Sequence, residues 1–297
     1  MSAYFRPIAV THGCDILQTM NDAQNQLYKK EIADYYSRRS QAYDESAWHD
    51  RIARKLVEAA RIRADSAILD IATGTGLVAL YAVAKLGASG SLVGIDISEA
   101  MIKIAKSKIL DSPVNNIHFE IGDGEALQFP ENSFDLILCG SAFIWMNDLH
   151  STLTHWKTRL KPGGKIGLSA FSDNAFVIGV VAQKVLVKYG ISFLMNKPTG
   201  SVEKCHRLFE QAGFKNIEIA VDNNGGYVGL REAKESWASL RQPAPGQYPH
   251  PLANMTAEQM ANAQAEFEEE LERLNTDQGI WNDMTTFYVF GERPSVL

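Results

Sequence analysis

Between residues 67 and 170 short apolar runs alternate with segments of helical spacing, and few folds accommodate that alternation. Ala67–Ile71 reads as a buried strand, followed by a glycine turn and a helix over Leu77–Leu86. Ser91–Ile95 is a second strand. Ser98 then caps a helix with Glu99 in its first turn and Met101, Ile104, Ala105 and Ile109 on one face. Asn116–Ile121, Phe134–Cys139 and Lys165–Ala170 give three more strands, the last entered through the turn Lys161–Gly164, whose glycines allow positive φ. Most connections are long enough for a helical crossover, which predicts a mostly parallel sheet covered by helices on both faces. Asn216–Val221 and Met284–Phe290 bring the strands to seven. The expected fold is α/β and Rossmann-like.

The flanks read differently. Met1–Asn25 is mixed and unpatterned, and helices follow over Leu27–Ala42 and Trp48–Ala60, so residues 1–60 are expected to form an arm and cap helices. Residues 61–297 are expected to form the sheet domain, with two insertions at 171–200 and 231–282. Phe171–Pro198 is apolar and helical in character, and Ser201–Ala212 is a helix ended by Gly213. Ser239–Pro251 carries four prolines and must be mostly loop. Thr256 and Gln259 make a capping box that opens an acidic amphipathic helix reaching Asn275. The insertions are expected to fold over the carboxyl edge of the sheet as a helical lid.

A net charge of -6 gives no electrostatic reason to expect nucleic acid, and the basic stretch Lys103–Lys108 reads as a solvated helix face. Cys14, Cys139 and Cys205 are far apart and lack metal-ligand spacing, so no metal site is expected and a reducing compartment is. The longest apolar run, Ala175–Val187, is interrupted by Gly179, Gln183 and Lys184, and no signal-peptide pattern opens the chain. The expectation is a cytoplasmic protein with no membrane span. The arm and long insertions leave room for a homo-oligomer.

Ligands on open α/β sheets bind beyond the carboxyl ends of the strands. There the first strand runs into Asp70-Ile-Ala-Thr-Gly74-Thr-Gly76, whose glycines let a ligand approach the backbone. Asp96 after the second strand can accept from a ribose diol. Asp123 after the third can accept from an exocyclic amine, with the backbone of Gly124 and Glu125 beside it. The set suits an adenine nucleoside with a carboxylated tail. Gly74-x-Gly76-x-x-Ala79 with an acid about 20 residues later also satisfies the dinucleotide fingerprint, which makes an NAD-dependent oxidoreductase a rival. Asp70 inside the strand, placed to hold the glycine turn and reach an ammonium group, is an odd choice for a pyrophosphate site.

ILDIATGTG, GIDIS, GDGEALQFPENSFDLILCG and LKPGG, in this order, resemble the successive motifs of class I S-adenosylmethionine-dependent methyltransferases. The resemblance is to the small-molecule branch containing quinone C-methyltransferases and natural-product enzymes. It spans roughly residues 30–170, with an echo at 284–291. It implies S-adenosylmethionine as cofactor, with Gly74 and Gly76 flanking the methionine moiety, Asp96 the ribose and Asp123 the adenine, against which Ile97 and Met101 pack. Ala72, Ser141, Asp70, Gly124 and Glu125 complete the implied cofactor set. Tyr35-Tyr36-x6-Tyr43-Asp44 is similar to a helix that closes over the cofactor in this branch, which brings Tyr43 to the cofactor and Tyr36 to the chemistry. The plain alternative is that these tyrosines are aromatics of an amphipathic helix.

Methyl transfer needs a general base only if the acceptor must lose a proton. Candidates are His49, His150, His155, Tyr36 and Glu45. Many relatives carry a histidine after strand four, but here Ile144 stands in that place, and His118, His150 and His155 read as structural or surface residues. His49, beside Trp48, is the best histidine. The acceptor is expected to be a small apolar or aromatic metabolite lined by Phe143, Trp145, Phe176, Phe193, Trp237 and Trp281. Strand five runs into SAFSDNAF without an acid directly at its end, which favours a specialised natural product over a respiratory quinone. A quinone-ring C-methyltransferase, a non-methylating cyclase of the same fold and a non-catalytic binding protein are the other readings.

Overall fold

The computed structural model describes residues 20–110 and 116–295. Cys14 and the expected arm up to residue 19 lie outside them. A first helix, α1 (Asp22–Arg39), opens on a capping box between Asn21 and Gln24, five residues earlier than its apolar spacing suggests. It gives way to a 3-10 turn at Ser40–Glu45 rather than running on to Ala42. After α2 (Ala47–Ala59) the alternation begins: β1 (Ala67–Ile71), α3 (Leu77–Val83), β2 (Ser91–Asp96), α4 (Glu99–Ile109), β3 (Ile117–Ile121) and β4 (Phe134–Cys139). Then come α5 (Leu149–Arg159), β5 (Leu160–Phe171), α6 (Val177–Leu186), α7 (Val202–Gln211) and β6 (Lys215–Asp222). The chain ends with β7 (Gly225–Val228), α8 (Leu230–Glu235), α9 (Ala257–Leu274), β8 (Ile280–Asp283) and β9 (Thr286–Glu292).

Seven strands form one sheet in the order β3-β2-β1-β4-β5-β9-β6. The first five are parallel, and β9 runs antiparallel between β5 and β6. The pleat divides the core in two. Ile68, Leu136 and Leu138 face a cluster built with Leu56 of α2 and Val78 and Ala79 of α3, while Leu69 and Ile137 face Trp156 of α5 and Phe209 of α7. Helices therefore cover both faces, as the alternation requires.

The order of β1 and its neighbours places β2 on one side and β4 on the other, so the chain reverses direction across the sheet at β1. A crevice opens at the carboxyl ends there. Both insertions join in a unit with its own core, in which Val185 and Leu186 of α6 meet Trp237, Phe267 and Leu271. Only Val177–Leu186 and a short 3-10 turn are helical in the stretch expected to be so throughout. The small sheet of β7 and β8 was not expected from the sequence. Its strands are four residues each, and glycines at 225 and 226 leave no alternation to read.

Candidate active site

The turn after β1 is strained where it meets the crevice. Ala72 (φ 54°) and Gly74 (φ 56°) both lie in the left-handed region, and so does Ser141 (φ 58°) after β4. Non-glycine residues held there are costly, and such positions gather at functional sites. Asp96 at the end of β2 steadies this turn. Its Oδ2 accepts from the Gly74 amide at 2.8 Å and its Oδ1 from the Ser98 amide at 2.8 Å. Burial pushes the carboxyl up to about 6.

Beneath the turn, Asp70 is fully buried and accepts from the Thr73 hydroxyl at 2.6 Å. Its Oδ1 finds no partner among the described residues, and burial pushes the carboxyl up to about 7. Gly76 (φ 87°) turns the chain into α3, and a Cβ there would stand 3.0 Å from the Phe119 ring. Neither Asp70 nor Gly76 borders the cavity directly; Asp70 lies under the turn and Gly76 against Phe119. The other ten residues of the expected cofactor set border one cavity of about 720 Å³, together with Tyr36.

Asp123 and Glu125, beyond β3, share one cation. Lys29 of α1 reaches Asp123 at 2.7 Å and Glu125 at 3.1 Å, so the cap helix is tied across that end of the cavity. Asp123 also accepts from the Glu125 amide at 2.9 Å, and the Trp156 indole fixes the Gly124 carbonyl at 2.6 Å. Further along, Ser37 and Ser98 hydroxyls meet at 2.8 Å, and Lys108 bonds Asp44 at 2.6 Å and the Thr75 carbonyl at 2.8 Å. Lys108 therefore fastens the cap rather than merely solvating a helix face.

Trp145 and Met146 also border the cavity, Met146 lying against Gly124. The fully buried Tyr28 of α1 donates to the Trp145 carbonyl at 2.9 Å and accepts from the Gly246 amide at 2.6 Å. Gly246 belongs to the proline-rich strap of the lid, which thus reaches the cavity rim. Sequence reasoning missed Tyr28, Lys29 and Gly246, since each acts across more than 90 residues of chain. Of the tyrosine pattern, Tyr36 on α1 and Tyr43 on the turn after it both border the cavity.

His49 lies elsewhere. It faces a second hollow of about 360 Å³ that adjoins the main cavity and shares Tyr43, Ala72, Gly74, Gly140 and Ser141 with it. Its ring stacks on Tyr43 at 4.1 Å, its Nδ1 sits 3.3 Å from the Tyr43 carbonyl, and burial pushes it down to about 4. Glu45 is exposed on the turn after α1. Of the aromatics expected around an acceptor, only Trp145 borders the main cavity. Phe143 packs on Trp156, Phe176 on Trp48 and Phe171, Phe193 and Trp237 in the lid core, and Trp281 is half exposed beside Tyr227.

An adenosyl group with an amino-acid tail fits these residues. Two carboxylates stand at successive strand ends, with Ile97 and Met101 between them offering an apolar face for a purine. A Cβ on Gly74 would approach Tyr43 to 3.8 Å, filling the gap between the turn and the cap that a tail must thread.

Residues 68–164 match a family described as a methyltransferase domain. Over 223 residues the chain is 26% identical to a demethylmenaquinone methyltransferase of Staphylococcus saprophyticus, covering 66% of this chain and 93% of the relative. Over 158 residues it is 30% identical to the aklanonic acid methyltransferase of a Streptomyces species, covering 52% of this chain and 70% of the relative. The crystal structure of the YcgJ protein from Bacillus subtilis is similar with a TM-score of 0.56 at 18% identity, covering 83% of this chain and 99% of that one, a likeness of fold. With its seven-stranded sheet, its strand-end acids and a relative of this identity and coverage, the chain belongs to the class I S-adenosylmethionine-dependent methyltransferases.

Proposed function

We propose that the cavity under α1 binds S-adenosylmethionine and that the enzyme transfers its methyl group to a small, largely apolar or aromatic metabolite, a natural product rather than a respiratory quinone. The observation that carries this reading is the cavity's lining, which brings the strand-end acids Asp96 and Asp123 together with Tyr36, Trp145 and Met146. Asp123 and the Gly124 backbone take the adenine edge, Ile97 and Met101 its face, Asp96 the ribose, and Ala72, Gly74 and Ser141 the amino-acid tail. The bound cofactor supplies an electrophilic sulfonium, so the protein's work is to align the acceptor and exclude water. The cap helix excludes water, held by Lys29 at one end and Ser37 further along. Tyr36 faces the acceptor, and His49 acts through Tyr43, against which it stacks.

The relative named for aklanonic acid supports a natural-product acceptor, and the one named for demethylmenaquinone supports the alternative of a quinone ring. No helix among the described residues is long and apolar enough to cross a membrane, in keeping with a cytoplasmic enzyme. Calorimetric titration with S-adenosylmethionine, S-adenosylhomocysteine and NAD tests the reading. Binding of both adenosyl ligands and not NAD is expected; binding of NAD alone overturns it.

A further inference from the structure

Two tyrosines stand over the cavity beside Asp96. Tyr36 comes from α1 and Tyr43 from the turn that follows; their rings lie 6.2 Å apart, edge on, and Tyr36 meets Trp145 at 5.8 Å. Among the described residues neither phenol has a hydrogen-bond partner, and burial pushes both above the ordinary phenol range. Both keep their proton at neutral pH and have it to donate. The other charged groups around the cavity are committed. Lys29 holds Asp123 and Glu125, and Asp96 holds the amides of Gly74 and Ser98. His49 sits behind Tyr43, in the second hollow. Among the described residues bordering the cavity, Tyr36 and Tyr43 offer two unpaired phenols beside the Ser141 hydroxyl and the Trp145 indole; no histidine borders it, and each carboxylate there already accepts from an amide or from Lys29.

We propose that Tyr36 and Tyr43 form an oxyanion-binding subsite, and that the acceptor is a compound already ionised on oxygen when it binds. Carboxylates, acidic phenols and the enolates of β-dicarbonyls share that chemistry. This rests on the methyltransferase reading of the cavity. An oxygen lone pair of the acceptor forms the new O–C bond to the methyl carbon as the C–S bond breaks and its electron pair goes to sulfur. Anion and sulfonium are both neutralised, and no proton leaves. The phenols hold and aim the oxyanion through charge-assisted hydrogen bonds, which are shorter and stronger than neutral ones. An alcohol with an ordinary high pKa is a poor substrate, because no uncommitted base borders the cavity to take its proton.

The probe is 4-nitrophenol, whose anion alone absorbs visible light and so reports its own ionisation when bound. The full chain is saturated with sinefungin, a non-reactive analogue carrying an amine in place of the methylsulfonium, and the bound probe is titrated with pH. The bound probe is expected to stay ionised at least about one pH unit below its free midpoint. Tyr36→Phe and Tyr43→Phe, each measured at saturating sinefungin, are expected to raise that midpoint by about one unit, a tenfold change in the anion's relative affinity. A probe that binds protonated, a loaded protein that binds none, or a midpoint unmoved in both variants overturns the subsite. Failure of sinefungin to bind the unaltered protein overturns the methyltransferase reading instead.

Discussion

The amide of Gly74 donates to the carboxylate of Asp96 across 2.8 Å, so the turn after β1 is held in place by the end of β2. One acid therefore shapes the glycine loop and also borders the cavity, where the proposed ribose diol would meet it. A carboxylate oxygen has two lone pairs, so the loop contact and a ligand contact can coexist. Burial disfavours the charged form in which it does both.

Replacing Asp96 with Asn should expose that conflict. The folded carboxyl titrates at about 6 against about 3.9 in an unfolded chain. The folded state thus holds the proton more tightly, and this contribution to stability is present below about pH 4 and lost as pH rises through 6. Two units correspond to about 3 kcal/mol at most. Ligand-free Asp96→Asn is expected to resist urea better than the parent above pH 6, while its affinity for S-adenosylhomocysteine falls by about 1.5–3 kcal/mol. Unchanged calorimetric affinity would refute the ribose role.

His49 has the opposite sign. Its imidazole is pushed down to about 4 from an ordinary 6.5, so the unfolded chain binds the proton more readily between those values. The stability it contributes is complete above about pH 6.5 and is lost as pH falls toward 4. His49→Phe, which keeps a ring for Tyr43 and Trp48 to stack on, should flatten that acid-side decline by up to about 3 kcal/mol. Denaturant melts at pH 4.5 and 7.5 measure it. Turnover abolished in this variant, with the cavity's affinity for cofactor intact, would restore His49 as the base.

Tyr28→Phe deletes one hydroxyl that joins α1, the loop after β4 and the lid strap. Leaving the half-buried Trp145 carbonyl and Gly246 amide without it should cost about 1–3 kcal/mol of stability. The strap and the Trp145 wall should also loosen together, seen as faster hydrogen exchange at Gly246 and a higher acceptor KM. A rise in exchange elsewhere in the sheet, with the strap unaltered, would contradict this linkage.

Most of the sheet is legible in the sequence because its strands are buried on both faces, and Ile68 and Leu69 must each find a core. The strand-end acids Asp96 and Asp123 follow from the same periodicity, since a turn residue just past a buried strand has only the crevice to face. Asp70 and Gly76 are harder. Their residue types fit both a ligand and a supporting role, and the supporting contacts, the Thr73 hydroxyl on Asp70 and the Phe119 ring beside Gly76, come from elements the local sequence does not name. His49 reads as a site residue through its neighbour Trp48, and helix α2 sets it against Tyr43 in the hollow that adjoins the main cavity, a placement no local pattern reveals. The aromatics of the insertions were legible as apolar but not as a separate core, because a lone segment such as Val177–Leu186 does not reveal which partner it buries against.

That separate core bears on how such a chain can change over generations. The strap reaches the cavity rim from a unit whose buried residues share none of their packing with the two cores that hold the sheet. Mutations that reshape the lid's own core can therefore be absorbed within the lid, while Tyr28 carries a change in the strap to the Trp145 side of the cavity. Selection for a new acceptor has a place to act that is insulated from the catalyst's own scaffold.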